Sequence, residues 1–396
     1  MIAAFKRKAF RFIVLLLRTF SGKAYFCAAL VMLPLNLAIA LVMRFFCRRG
    51  TVAHIGGLYH LHYQYVEVLR SRGVPATFFA VGPERRWRIA DHHLPDLQWL
   101  FLDLFRDMWF FWRYLARHEV IHSHCLIGLS HYQWEFLVLK VMGRRLVGHF
   151  RGCEGRERAA MRTAEGEAGI CQECDYFPNY LCEFQENRRR RLVARHLCDA
   201  LLVTTPDLLD LWPTARHLPF FLPVDAPAEI SERPAWTPDC GRPLTIVHVT
   251  DQPGIEGSEE IRRCLARLRN AGLPIEFRHV TGASRDEVYA ALAEADLSIG
   301  KMRMGYYANA QIEAMIMGVP TVTWVRDDLR SPELEDSGLI ICTLPKLEET
   351  VRGLIENPDL LAAKKRIARD RVVQMHGVDS IVSGLYDAYG WTAHGR

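Results

Sequence analysis

The chain has 396 residues, half of them hydrophobic and 24% charged, with a net charge of +5. That is material for two or three domains with sizeable cores, and it excludes global disorder. So small a charge argues against nucleic acid as a partner. Eleven unevenly spaced cysteines read as reduced thiols of a cytoplasmic enzyme rather than as a disulfide scaffold.

Lys6, Arg7, Lys8, Arg11, Arg18 and Lys23 precede an uncharged run, Ala24 to Met43, closed by Arg44. The run is long enough to cross a bilayer as a helix and has no small-residue cleavage site. One span obeying the positive-inside rule would export the rest of the chain, against its free cysteines. Pro34 and Asn36 predict an interruption. The expectation for residues 1–50 is therefore a re-entrant or interfacial element with both ends cytoplasmic, attached through residues 24–43 to the inner membrane. A hairpin with Phe12 to Leu17 as its first leg is the other form. Trp99 to Tyr114, rich in aromatics among Arg and Asp, reads either as further interfacial contact or as an amphipathic core helix. Arg188 to Arg191 reads as a solvated helix face.

From Thr51 the pattern becomes α/β. Val52 to Ile55 reads as a strand, Gly56-Gly57 as a tight turn, His60 to Arg72 as a helix and Ala76 to Val81 as the next strand. The glycines fit either close approach of a ligand or a turn needing positive φ. Two later strands, Val120 to His124 and Arg145 to His149, end in histidine. His122 and His124 alternate onto one face, but no third metal ligand is evident beside them. Phe150 to Arg156 is a loop too charged for a core. Cys171-x-x-Cys174 follows, and with Cys153 and Cys182 it offers either a closed structural zinc site or four unligated thiols. Ala200 to Thr204 is a further strand. The first domain spans 51–222.

Prolines crowd Pro219 to Pro243, so a linker is placed at 223–243. A second α/β domain spans 244–375. Its predicted elements are strand Leu244 to Val249, helix Glu259 to Ala271, strand Ile275 to Val280 and helix Arg285 to Ala293. The strand-like run Ala295 to Ile299, the turn at Gly300, a short helix carrying Glu313 and the strand Thr321 to Val325 complete a βαβ unit. Such a unit presents unpaired backbone N–H groups to phosphate, and Glu313 is placed to accept hydrogen bonds from a ribose diol. Residues 376–396 are read as a C-terminal helix crossing back to the first domain.

In order along the chain, several segments resemble the retaining glycosyltransferases of family four, of the bacterial surface-polysaccharide type. They are His122-Ser-His124, His149 to Arg156, Leu218-Pro219 to Val224-Asp225, Ile246 to Ser258, and Gly305 to Glu313 with Gly318-Val-Pro320. The resemblance runs from about Val52 to the C-terminus. It implies the GT-B fold: two Rossmann-like doubly wound domains, here with an N-terminal hydrophobic membrane-associated segment. It also implies sugar transfer from a nucleotide diphosphate sugar to a glycolipid or polysaccharide acceptor, with no metal required for catalysis. Donor binding would fall to Gly257, Ser258, Tyr306, Tyr307, Asn309 and Glu313, and acceptor binding to Gly56, Gly57 and Arg151. Catalytic roles would fall to His149, Lys301 and Arg303.

Three positions depart from the family pattern. Glu256 stands where a lysine neutralises the diphosphate, Asp251 to Gly254 lacks an arginine, and Gly305 replaces the first glutamate of a Glu-x7-Glu pair. Lys301 and Arg303 are expected to replace the missing cations in part. The alternative is a degenerate, non-catalytic scaffold or nucleotide-binding subunit of a polysaccharide assembly complex. A dinucleotide oxidoreductase is disfavoured, because no Gly-x-Gly-x-x-Gly follows a strand.

Overall fold

The computed structural model describes residues 2–57, 60–82, 90–94, 100–165, 171, 174, 182, 185–221 and 233–391. Val224 and Asp225, with residues 223–232 of the expected linker, lie outside them. Packing divides the chain into two compact units. One comprises Met1–Arg151, Gln185–Leu202 and Leu385–Arg396; the other comprises Gly152–Phe184 and Val203–Gly384.

The first unit opens with one continuous helix, α1 (Ile2–Met43), with Pro34 inside it. The expected break and hairpin are both absent from α1. From Tyr25 onward the reason is packing. Tyr25, Asn36 and Ala40 are buried at helical spacing, and Leu33, Leu37 and Met43 pack on the core beneath. Pro34 sits on the opposite, exposed face. Asn36 is satisfied twice: its amide donates to the Met32 carbonyl, and its Oδ1 accepts from Trp112 Nε1 at 2.8 Å. Contacts on both sides of Pro34 thus hold the axis where proline removes one backbone bond.

The strands of this unit are β1 (Arg48–Gly56), β2 (Ala76–Val81), β3 (His92–Leu94), β4 (His118–His124), β5 (Arg145–Phe150) and β6 (Ala200–Val203), in the order β3-β2-β1-β4-β5-β6. The β1–β2, β1–β4, β2–β3 and β4–β5 pairs are all parallel. Helices α2 (His60–Ser71), α3 (Leu100–Arg113) and α4 (Trp134–Val141) connect them. On α3, Leu104 and Phe111 are buried while Leu102, Phe105 and Trp109 are exposed. The two readings of the aromatic segment therefore describe its two faces.

The second unit includes α5 (Arg158–Glu165). Helix α6 (Gln185–His196) belongs to the first unit. The short β7 (Arg216–His217) is followed by β8 (Leu244–Val249), β9 (Ile275–Val280), β10 (Leu297–Ile299), β11 (Thr321–Thr323) and β12 (Leu339–Ile341). These last five form a parallel sheet in the order β12-β11-β10-β8-β9. Helices α7 (Pro253–Glu256), α8 (Ser258–Asn270), α9 (Arg285–Ala293) and α10 (Asn309–Ile316) lie between those strands in sequence. Trp236, fully buried, packs with Leu244, Ile246 and Leu297, and Arg233 and Arg242 both pair with buried Asp296. The chain just before β8 is thus part of this unit's core.

Candidate functional site

In the first unit, strand register gathers four histidines. His54 on β1 pairs with His122 on β4, and His124 on β4 pairs with His149 on β5. His122 and His124 share a face because side chains alternate along a strand. All four are fully buried. A buried imidazole needs partners, and here they are one another. His54 Nδ1 lies 3.0 Å from His124 Nε2, and His122 Nε2 lies 3.1 Å from His149 Nδ1. Tyr389 bridges the two pairs, with its hydroxyl 2.9 Å from His122 Nδ1 and 3.3 Å from His54 Nε2. Burial holds His54, His122 and His124 well below the usual histidine pKa, so all three are neutral at pH 7.

Ligand atoms of His54, His122 and His124 lie within 4.8 Å of one another, which supplies the third potential metal ligand that the sequence did not reveal. Their planes argue for another use. His54 and His122 stack at 4.5 Å with 21° between planes, and His122 and His124 at 4.5 Å with 26°. Nitrogen lone pairs lie in the ring planes, so stacked rings do not converge them on one tetrahedral centre.

The two glycines after β1 behave differently from each other. A Cβ on Gly56 would meet His62 Nδ1 at 2.7 Å and His124 Cβ at 3.2 Å, whereas on Gly57 the nearest atom is Ile127 Cδ1 at 3.9 Å. Gly56 is therefore held to glycine by the packing of His62 and His124. Neither glycine has positive φ. The Arg151 guanidinium lies 5.6 Å from the Tyr65 ring, and that ring packs edge-on to His149 at 5.7 Å. His149 and Arg151 thus share one neighbourhood.

The charged loop after His149 is not solvated as expected. Glu154 and Arg156 are buried in the second unit, where Arg156 pairs with buried Asp207 at 2.9 Å and donates to Thr205 Oγ1. Cys171 packs with Met161 and Ile255, and Cys174 lies against that apolar cluster. Burial raises the Cys153 thiol pKa, against the favourable Arg156 charge. Among the described residues, Cys153, Cys171, Cys174 and Cys182 are not gathered into a set with metal-ligand spacing.

On the nucleotide side, Gly257 adopts φ 81° and caps α8. The Ser258 hydroxyl donates to His248 Nε2 at 2.7 Å, because His248 Nδ1 is committed to the Ile299 carbonyl. Lys301 and Arg303 are both ion-paired: Lys301 Nζ lies 3.2 Å from Glu256 Oε1, and Arg303 Nη2 lies 2.6 Å from Glu260 Oε1. This corrects the expectation that they stand ready for a diphosphate. It also removes the repulsion expected from Glu256, whose charge is neutralised locally.

Tyr306 and Tyr307 are core residues, and Tyr307 hydrogen bonds to His376 Nε2 at 2.9 Å. They do not line a donor surface, because α10 begins at Asn309 rather than at Tyr306. Glu313 lies one turn into α10, half-buried, with Arg285 Nε 3.9 Å from its carboxylate. Gly305 has φ 66°, and a Cβ there would meet Arg326 Cγ at 3.0 Å. The backbone is shaped for glycine where the family pattern has glutamate.

No family model matches the sequence, and no curated protein matches it. Solved structures do. HepE of Anabaena, crystallised with UDP and glucose, is similar over 86% of this chain and 100% of its own at TM-score 0.55 and 10% identity. The fold is GT-B. The catalytic domain of starch synthase IV from Arabidopsis thaliana, bound to ADP and acarbose, aligns over 86% of this chain and 98% of its own at TM-score 0.55 and 9% identity. The lipopolysaccharide outer core galactosyltransferase WaaB aligns over 86% and 99% at TM-score 0.53 and 10% identity. Within this GT-B chain, the short α7 and then α8 follow β8, and α10 follows β10, after the carboxyl ends of parallel strands, where open α/β sheets bind ligands.

Proposed function

We propose that this protein is a glycosyltransferase that moves a sugar from a nucleotide diphosphate sugar to a lipid-linked or polysaccharide acceptor, with retention, in cell-surface glycan synthesis. The observation that carries the reading is the pairing, in one sheet, of the Gly257-capped start of α8 with Glu313 one turn into α10. The first offers N–H groups to a diphosphate, and the second offers a carboxylate to a ribose diol. The solved neighbours with UDP or ADP bound support a nucleotide partner. Asn309 opens α10 and adds its amide to the anion-facing end. The phosphate charge is met by backbone dipoles, without a metal.

The membrane reading rests on α1 and α3. On α1, Phe26, Leu30, Val31 and Val42 are exposed opposite the face that packs on the core, and Leu102, Phe105 and Trp109 are exposed on α3. A helix glued to its domain along one side is suited to lying in one leaflet rather than crossing both. We place the protein at the cytoplasmic face of the inner membrane, in reach of a lipid-linked acceptor.

One observation favours the non-catalytic reading: Lys301 and Arg303 are held by Glu256 and Glu260. Incubation with UDP-, GDP- and ADP-sugars plus membrane extract decides between them. Acceptor-dependent release of a nucleoside diphosphate supports the transferase. Nucleotide binding without release supports the scaffold, and no binding of any nucleotide removes both.

A further inference from the structure

The first unit holds a cavity of about 210 Å³ whose lining includes none of the four buried histidines. Helix α3 walls it with Asp103, Arg106 and Asp107, α6 walls it with Arg189 and Arg190, and the loop after β4 closes it as far as Gln133. The volume falls below the about 300–1,000 Å³ of a drug-sized pocket, so it admits a head group rather than a whole glycan. Arg106 is committed to Asp103 at 2.8 Å and to Asp107 at 2.7 Å. The arginines of α6 are placed differently. Arg189 lies over the Tyr132 ring at 5.0 Å, and Arg190 donates to Asn187 Oδ1 at 3.1 Å. Among the described residues, neither has a carboxylate partner. Both are half-buried, so the middle of the arginine run is a cavity wall and not the solvated face expected of it.

The loop is held in an uncommon shape. Among the described residues, Cys125, Leu126 and Gln133 are the non-glycine residues with positive φ, at 54°, 49° and 58°. A Cβ on Gly128 would collide with the Glu135 carboxylate. The Gln133 amide donates to the Leu126 carbonyl, and its Oε1 is a buried acceptor with no donor. Left-handed backbone at such residues is costly and collects where ligands are gripped.

Helix α3 carries the cavity and an exposed apolar stripe side by side. At about 100° per residue, Asp103, Arg106 and Asp107 lie next to the exposed Leu102, Phe105 and Trp109. Helix α1 is tied to the same place. The Tyr25 hydroxyl donates to Asp107 Oδ2 at 3.0 Å, and the Tyr132 hydroxyl donates to the Gly22 carbonyl at 3.2 Å. The exposed Phe26 ring packs edge-on to Tyr132 at 5.2 Å. Cations bordered by apolar surface suit a ligand that is anionic at one end and apolar at the other. We propose that this cavity seats the glycosylated phosphate of a lipid, with Arg189 and Arg190 on the phosphate and the hydrocarbon chain along the exposed faces of α3 and α1. The sugar brings hydroxyl donors to the wall that holds Gln133 Oε1. The role of this lipid as acceptor rests on the transferase reading; its binding does not.

The full-length protein is titrated calorimetrically with decyl glucosyl phosphate below its micellar concentration. Glucose 1-phosphate, decyl phosphate and decyl glucoside each lack one part and are titrated in parallel. The complete probe is expected to bind about tenfold or more tighter than any of the three. An incomplete probe of equal affinity would overturn the proposal, because the missing part would not be read. Arg189→Gln with Arg190→Gln should weaken the complete probe about tenfold or more and leave decyl glucoside unchanged. Arg48→Gln with Arg49→Gln removes the same charge from exposed positions of the same unit and should change little. Equal loss in the two variants would mean general attraction of anions and overturn the site. If the Arg189–Arg190 variant does not fold, hydrogen exchange of the wild type decides. The complete probe should slow exchange at residues 127–133, and an unprotected loop would overturn the site. Binding without sugar transfer from any donor would leave the site standing and remove the transferase reading. Transfer to a lipid-linked acceptor that the Arg189–Arg190 variant performs unchanged would do the reverse.

Discussion

Lys301 Nζ lies 3.2 Å from Glu256 Oε1, while Glu256 Oε2 is buried with no hydrogen-bond partner. The pair is nearly dry, with 14% and 7% of the two side chains exposed. Removing one member strands the other. Lys301→Ala should destabilise the protein by about 3–5 kcal/mol, read as a lower urea midpoint. Lys301→Met with Glu256→Gln removes both charges and should recover most of that loss. If Lys301 only neutralises Glu256, the double variant binds nucleotide as the wild type does. Loss of nucleotide affinity in the double variant would return Lys301 to the diphosphate.

Glu313 carries the ribose assignment and is only partly buried, so its removal separates binding from folding. Glu313→Ala should weaken nucleoside diphosphate binding by about 1.5–3 kcal/mol, the range for a hydrogen bond to a charged group. Its unfolding midpoint without ligand should change little. In a thermal-shift titration the variant would need more nucleotide for the same rise in Tm. Wild-type affinity in this variant would take the ribose away from α10.

Gly305 tests whether the family's first glutamate was lost or excluded. Its φ of 66° is left-handed, and Arg326 Cγ would lie 3.0 Å from an added Cβ. Arg326 is itself held by Asp210 at 2.6 Å and by Asp328 at 2.5 Å. Gly305→Glu should therefore cost about 1–3 kcal/mol through backbone strain and displacement of Arg326. It should not improve donor binding. A stable variant with tighter nucleotide binding would show that the backbone accepts the family residue.

Local signals were legible in the sequence, and long-range pairings were not. The strands Ala76–Val81, Leu244–Val249 and Ile275–Val280 fall where their apolar runs and flanking turns place them. Glu313 follows from its βαβ context. His54 stayed hidden because its closeness to His122 depends on β1–β4 register, which no single segment encodes. Tyr389 lies 267 residues from His122, and nothing near it hints at imidazole partners. Lys301 and Arg303 look like available cations until folding sets Glu256 and Glu260 beside them. Pro34 and Asn36 predict a break in α1 by local rules, but tertiary packing prevails.

Glu135 links stability to pH. It is fully buried, and desolvation pushes its pKa up to about 7, against the hydrogen bond from the Ser130 hydroxyl. A carboxyl with a raised native pKa binds more protons folded than unfolded, so stability falls as pH rises. The loss begins near the unfolded value of about 4.5 and is complete above about 7. It amounts to about 3 kcal/mol at full size. Asp107, pushed up to about 6 by burial, acts in the same direction. Buried His54, His122 and His124, held well below the usual histidine pKa, act in the opposite direction up to about pH 6.5. The test is therefore a difference: relative to the wild type, the urea midpoint of Glu135→Gln should gain as pH rises from about 5 to 8. A difference between the two proteins that stayed constant over that range would contradict the assignment.

The exposed face of α1 can be tested apart from the face that packs on the core. Val31 is 75% exposed and Phe45, just beyond the helix, is 85% exposed, so a change at either position alters few internal contacts. Burying such a side chain in lipid is worth about 1.5–3 kcal/mol, or a factor of ten or more in partition per residue. Val31→Asp with Phe45→Asp should therefore abolish co-sedimentation with vesicles containing anionic phospholipid while leaving the urea midpoint nearly unchanged. Asn36→Leu should do the reverse. It leaves Trp112 Nε1 without its acceptor at 2.8 Å, which should cost about 1–3 kcal/mol of stability, yet it alters nothing on the exposed face. If Asn36→Leu lost vesicle binding while the Asp variant kept it, the lipid-facing side of α1 would be the one now described as packed. If neither variant changed binding, the attachment would lie outside residues 24–46.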